Sequence, residues 1–300
     1  MNVVELFAGA GGMAVGFRKA GYKHKVLVEV DKDCCKTLEQ NGFTNVLCAD
    51  VREVSFQSLR HKVDVLCGGP PCQPFSIGGD KFGQDDERNM WGECVRVARE
   101  MQPKCICFEN VSHLCSKKFR PYLLNLTRRF ARAGYKVEWY TFDTADYGVP
   151  QHRRRCMCIG VRNDLDVHFT FPKAHTKQVM VREAMASLGP PNGKNRHDLR
   201  DVQPRQYTGH SGSDLDKPSK TLTTAPRGLG GGQNTFTDTR GRYRHYTIRE
   251  AARIMTYPDS HKFSETWSKA MTQIGNSVPP LMAKQVALAI KRALLIKKVK

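Results

Sequence analysis

The chain has 300 residues, 40% hydrophobic and 26% charged, enough for one sizeable core and a second lobe. No apolar run approaches the roughly 18 residues of a membrane span, and Met1 leads directly into Val3-Val4-Glu5-Leu6-Phe7 without a secretory pattern, so a soluble intracellular protein is expected. A net charge of +19 and a pI near 9.6 call for a polyanionic partner, and the dispersal of that charge argues against an amphipathic membrane-surface helix.

The predicted elements alternate up to about residue 162. Val3 to Phe7 reads as a strand, and Gly9-Ala10-Gly11-Gly12 turns into a helix through Phe17 and Ala20 that Gly21 stops. Val26 to Val30 is a second strand, 32–41 a helix, and Val46-Leu47-Cys48 a third strand. Val63 to Cys67, Lys104 to Phe108, Val137 to Phe142 and Cys156 to Val161 are further strands, with helices over 91–101 and, strongly basic, over about 118–133. Such alternation predicts an α/β fold whose mostly parallel sheet is covered on both faces. Between about 163 and 245 the chain has no cysteine, many Gly, Pro, Thr, His and Arg, and weak periodicity. Periodic sequence resumes at Thr247, and Leu281, Met282, Val286, Ile290, Ala293 and Leu294 mark a packing helix over about 280–296. Residues 1–160 carry net +6 and residues 161–300 net +13.

The eleven cysteines all lie at or before Cys158. None forms Cys-x-x-Cys and no Cys/His cluster has zinc spacing, so no metal is expected and free thiols in a reducing compartment are. Cys105 with Cys107, and Cys156 with Cys158, have the spacing of one strand face and read as small buried hydrophobes. Cys72 differs. It lies in Gly69-Pro70-Pro71-Cys72-Gln73-Pro74 directly after a strand, on stiff backbone where such a sheet places its chemistry, and reads as a thiol presented to a substrate.

The glycine turn lacks the Gly-x-Gly-x-x-Gly of dinucleotide binders. Its helix start offers unpaired N–H groups. Glu29, at the second strand's end, can accept hydrogen bonds from both ribose hydroxyls, and Asp50, after the third, is near the expected adenine or serves as a turn cap. An adenosine ligand without pyrophosphate favours S-adenosylmethionine over NAD.

With these features the chain resembles the cytosine-5 DNA methyltransferases. Phe7-Ala8-Gly9-Ala10-Gly11-Gly12 resembles the family's cofactor loop, Gly69 to Ser76 its nucleophile loop, and Glu109-Asn110-Val111 its Glu-Asn-Val motif. Gln151-His152-Arg153-Arg154-Arg155 matches Gln-x-Arg-x-Arg, Arg249 through Asp259 the segment after the recognition region, and Gly275-Asn276-Ser277-Val278-Pro279 the last motif. Six motifs in order span almost the whole chain. The resemblance implies a Rossmann-like S-adenosylmethionine-dependent methyltransferase: a catalytic domain over 1–162 and 246–300, and a small irregular target-recognition domain over 163–245. It implies cofactor contacts from Phe7, Ala8, Gly9, Gly11, Gly12, Glu29, Asp50, Val51, Pro70, Met90, Asn276, Ser277 and Val278. It also implies Cys72 as nucleophile, Glu109 as proton partner, and Arg153 and Arg155 near the target base, with surface phosphate binding a competing role for Arg153. Duplex DNA is the expected partner of a monomer, cytoplasmic in a bacterial or viral setting and nuclear in a eukaryotic one. Gln73 and Ser76, with Arg227, Gly230, Gly231, Gln233 and Asn234 of a glycine-rich loop, are the candidate DNA contacts.

Three rivals remain. A tRNA-methylating branch carries Cys-Phe-Thr in its recognition region, which residues 163–245 lack. A silent DNA-binding homologue is disfavoured by the intact Cys72, Glu109, Arg153 and Arg155. A NAD oxidoreductase fails on glycine spacing. Begun at its first strand and ended after its last helix, the chain reads as a stand-alone modification enzyme.

Overall fold

Short strands that are apolar on both faces need helices on both sides, and the chain supplies them. The computed structural model describes residues 1–71, 89–175, 177–200, 204, 212–224 and 234–295. Strands β1 (Asn2–Leu6), β2 (Lys23–Glu29), β3 (Val46–Cys48), β4 (Val65–Gly68), β5 (Cys105–Val111), β6 (Tyr135–Asp143) and β7 (Arg154–Arg162) form one sheet in the order β3-β2-β1-β4-β5-β7-β6. Neighbours from β3 across to β5 pair in parallel, while β7 runs antiparallel to both β5 and β6. The strand order reverses between β1 and β4, and a crevice opens there at the strands' carboxyl ends.

Alternate residues sort to opposite faces. Val3, Val65, Cys67, Cys105, Cys107 and Met157 share a core with helices α1 (Gly12–Lys19) and α8 (Pro280–Leu295). Val4, Leu66, Ile106, Phe108, Cys156 and Cys158 share one with α3 (Trp91–Met101) and α4 (Arg120–Arg132). Each cysteine pair therefore lies on one face, as its spacing predicts. Burial pushes the Cys105 thiol up to about 12 and those of Cys107 and Cys158 well above the ordinary value, which keeps them protonated and unreactive. Helices α1 and α8 approach so closely that a Cβ on Gly16 would come within 2.5 Å of the Ala283 Cβ.

Helix α2 (Lys32–Gln40) is capped by Asp31, whose carboxylate accepts from the Cys34 N–H. The basic helix starts at Arg120, two residues later than its charge pattern predicts, because Pro121 belongs in a first turn; a 3-10 turn over Lys117–Phe119 precedes it. Helix α5 (Val181–Met185) and a hairpin of β8 (Thr235–Thr237) and β9 (Tyr243–His245) lie within the segment read as irregular. Helices α6 (Ile248–Ile254) and α7 (Trp267–Asn276) follow it. Val181, Leu222 and Phe236 pack in one cluster with Ile248, Ala252, Met271 and Ile274, so apolar packing crosses residue 246. No helix among the described residues is long and apolar enough to cross a membrane.

Candidate active site

The crevice is a cavity of about 520 Å³ bordered by β1, β2, β4, β5, β7 and α7. Its size falls in the range of roughly 300–1,000 Å³ typical of small-molecule sites.

One half is built from β1 and β2. The chain leaves β1 with Phe7 at φ +54 and turns through Gly9 and Gly11, both at positive φ. Gly11 precedes α1 without a side-chain cap, leaving N–H groups at the helix start. The Glu29 carboxylate is held by three backbone donors. Gly9 N–H donates to Oε2 at 2.7 Å, and Val30 N–H and Asp31 N–H each donate to Oε1 at 2.9 Å. With about two lone pairs on each oxygen, Oε1 is fully engaged and Oε2 keeps one acceptor site. A Cβ on Gly9 would meet nothing within 4 Å, so the loop backbone lies open to a ligand. Phe7, Ala8, Gly9, Gly12, Glu29, Pro70, Asn276, Ser277 and Val278 all line the cavity.

Four expected cofactor residues do not line it. Gly11 turns away: a Cβ there would lie 2.8 Å from Leu38 Cδ2. Asp50 takes the turn-cap alternative, accepting from Arg52 N–H at 2.9 Å and Arg52 Nε at 3.0 Å. The Arg52 guanidinium holds its carboxyl below the usual range. Val51 is buried and Met90 half-buried, both in the core beneath α3.

The other half is built from the ends of β4 and β5 and the entry to β7. Gly69, Pro70 and Pro71 line the cavity after β4 and lead to Cys72, which lies outside the described residues with Gln73, Ser76, Arg227, Gly230, Gly231 and Gln233. Asn110 Nδ2 donates to the Pro70 carbonyl at 3.0 Å, anchoring the start of the nucleophile loop to β5. Sequence reading quoted Asn110 within a motif and gave it no task. Glu109, 8% exposed, stands one residue before it. Burial raises the Glu109 pKa above the ordinary 4.5, while the Arg155 and Arg153 charges pull it back. Arg155 Nε lies 2.9 Å from Glu109 Oε1. Glu109 Oε2 lies 3.8 Å from where a Cβ on Gly69 would be, so the carboxyl faces the exit toward Cys72.

Arg153 is buried rather than exposed to phosphate. Its guanidinium donates to the carbonyls of Leu222 at 3.2 Å, Gly275 at 2.7 Å and Ser277 at 3.0 Å. It ties β7's entry to the segment before the glycine-rich loop and to the end of α7. Arg154, between the two, is exposed. Asn234 also departs from expectation. It is buried, and its amide both donates to the Thr223 carbonyl and accepts from the Thr223 N–H, at 3.0 Å each, so it closes a loop instead of presenting an edge to a base.

Sequence reading missed the α7 wall of Ser268, Lys269, Thr272 and Gln273, and Glu5 on the floor. Gln273 Nε2 donates to Thr37 Oγ1 at 3.0 Å, joining α7 to α2. Glu5 is buried, and burial raises its pKa, with His24 Nε2 at 3.3 Å opposing. The available signal was an acid inside Val3-Val4-Glu5-Leu6-Phe7.

Residues 1–213 and 191–292 match the C-5 cytosine-specific DNA methylase family. The chain is 35% identical to the type II methyltransferase M.NgoMIV of Neisseria gonorrhoeae, over 97% of each protein. It is also 35% identical to M.Eco47II of Escherichia coli, over 93% of this chain and 76% of that one. In fold it is similar to DNMT2 of Spodoptera frugiperda, with a TM-score of 0.77 at 18% identity over 97% of this chain and 99% of that one. A family match across most of the chain and full-length relatives at this identity lead to one conclusion: the chain belongs to the C-5 cytosine-specific DNA methylase family of enzymes.

Proposed function

We propose that this enzyme methylates C5 of a flipped-out cytosine in duplex DNA, with Cys72 as nucleophile and S-adenosylmethionine as methyl donor. The observation that carries the reading is that Glu109, Arg155 and the Pro71 exit to Cys72 open onto the same cavity as Gly9 and Glu29.

The donor set fits the cofactor. Glu29 Oε2 keeps an acceptor site for a ribose hydroxyl, the open Gly9 backbone lets the ligand approach, and Asn276, Ser277 and Val278 wall the same space. When bound, S-adenosylmethionine supplies an electrophilic methyl group. The rest falls to the chain's own residues. The Cys72 thiolate bonds to C6, and the ring electrons move onto C5 and toward N3. Glu109, whose pKa burial raises, presents a proton to N3 as negative charge develops there. Arg155 orients that carboxyl and offsets the charge. C5 then has enamine character, the state in which it accepts a methyl group. Water takes the C5 proton, the C5–H bonding pair re-forms the C5–C6 double bond and expels the Cys72 sulfur as thiolate, and the N3 proton returns to Glu109. Arg153 acts at one remove, as a positioning residue that holds three backbone segments around the site. Extruding the base from the stack costs a few kcal/mol, offset by phosphate contacts from a chain of net +19.

Methylation sequencing of DNA from cells expressing the chain, beside a Cys72→Ala control, tests the proposal. Methylated cytosines in one sequence context, absent with the control, are expected. Unmodified DNA together with methylated tRNA would replace duplex DNA by tRNA as substrate.

A further inference from the structure

The basic helix and the turns before it have no task in the reaction described above, yet their charge is concentrated. From Asn110 to Val137 the sequence holds seven Lys and Arg and no Asp or Glu. Residues 1–160 as a whole are net +6, so outside this +7 run they are net −1. The first half of the chain owes its positive charge to 28 consecutive residues.

The fold brings one end of that run to the active site. Val111, the last residue of β5, lines the cavity. Lys117 follows six residues later, at most about 22 Å away along a fully extended chain, and the 3-10 turns over Ser112–Cys115 and Lys117–Phe119 shorten the path. Lys117, Lys118 and Arg120 are all exposed. Their backbone is fixed from beneath: Phe119 is buried, with its ring edge-on to His113 at 5.4 Å. Tyr122 Oη donates to Asn89 Oδ1 at 2.9 Å, joining the first turn of α4 to the segment beside the nucleophile loop. The amino end of α4 adds its partial positive charge to the same edge. Helix α4 then runs about 20 Å, carrying Arg132 away from it. One turn of duplex spans about 34 Å, so phosphates flanking a base held in the cavity come within reach of the three cations.

We propose that Lys117, Lys118 and Arg120 form a phosphate-binding rim that grips the DNA backbone beside the flipped cytosine, independently of the recognition region. This rests on the DNA-methylating reading above. The rim has no base-edge role, so it sets affinity and leaves the methylated sequence unchanged.

The test compares two triple variants that each remove three positive charges. One is Lys117→Gln/Lys118→Gln/Arg120→Gln. The other is Lys19→Gln/Lys23→Gln/Lys25→Gln, at exposed positions at the end of α1 and the start of β2. Binding of a labelled random-sequence duplex is measured across salt concentrations, and a thermal shift with S-adenosylmethionine reports that each variant is folded. The rim variant is expected to lose at least tenfold in affinity and about 2.7 from the magnitude of its log-affinity against log-salt slope, about 0.9 per phosphate. Each single substitution loses about 0.9. The control keeps the slope of the unmodified enzyme, and the methylated sequence is the same in both. A rim variant that matches the control overturns the rim and leaves DNA methylation intact. An unmodified enzyme that binds no duplex overturns both.

Discussion

The two halves of the cavity hold their carboxylates by opposite means. Glu29 is kept in place by N–H groups of its own turn and of the glycine loop, in a half-buried position. Glu109 is buried and faces guanidinium groups from the entry to β7, a strand reached only after the chain has crossed to the far side of the sheet. Backbone donors fix the direction in which Glu29 presents its remaining acceptor site. Burial suits an acid that must carry a proton. The same residue type is thus held by local backbone donors on one side and by burial against distant charges on the other.

Substitution at Glu109 breaks the comparison most strongly. Glu109→Gln keeps the shape and removes the transferable proton, and kcat is expected to fall about 10²–10⁴-fold with little change in S-adenosylmethionine affinity. The pH dependence has a definite sign. The folded-state pKa lies above the ordinary 4.5, so protonated Glu109 contributes stability that is complete below that value and is lost as pH rises through the folded value. Urea unfolding across pH is expected to show this decline in the unmodified protein and a flatter profile in the Gln variant. Equal profiles would mean that Glu109 is not held protonated by burial.

Arg153→Ala tests the long-range character of the catalytic half. It leaves three carbonyls without their charged donor, and a loss of about 3 kcal/mol or more in unfolding free energy is expected. A loss of activity without a loss of stability would instead place Arg153 on the substrate.

The smallest effects sharpen the local half. Glu29→Gln sets an amide N–H₂ against backbone N–H donors, and cofactor affinity is expected to fall about 10–100-fold. Asp50→Asn, at an acid occupied by Arg52, is expected to change it less than about threefold. Isothermal titration of both variants decides between them, and equal losses would return Asp50 to the cofactor site.

What was legible in the sequence follows the same division. The bounds of β3 and α3, the glycine turn and Glu29 are local and were readable. The expected end of β5 at Phe108 fell short because its apolar pattern stops where the site begins, while Glu109 and Asn110 continue the ladder against Met157 and Cys156. Helix α7 was missed although Thr266 caps it and Ala270, Met271 and Ile274 mark its buried face. The partners of Arg153 are carbonyls, which any residue supplies, so no pattern announces them. Asp50 was ambiguous because a strand-end acid with Arg two residues on caps its own turn as readily as it meets a ligand.

The central claim is that Cys72 forms a covalent bond to the target base. Incubation with S-adenosylmethionine and a duplex carrying 5-fluorocytosine at the methylated position tests it directly, because fluorine in place of the C5 proton blocks release. The expected result is a denaturation-resistant protein–DNA species, mapped by mass spectrometry to the Cys72 peptide and absent in Cys72→Ala. Methyl transfer to unmodified DNA with no trapped species, or with one mapped to another residue, would contradict the account.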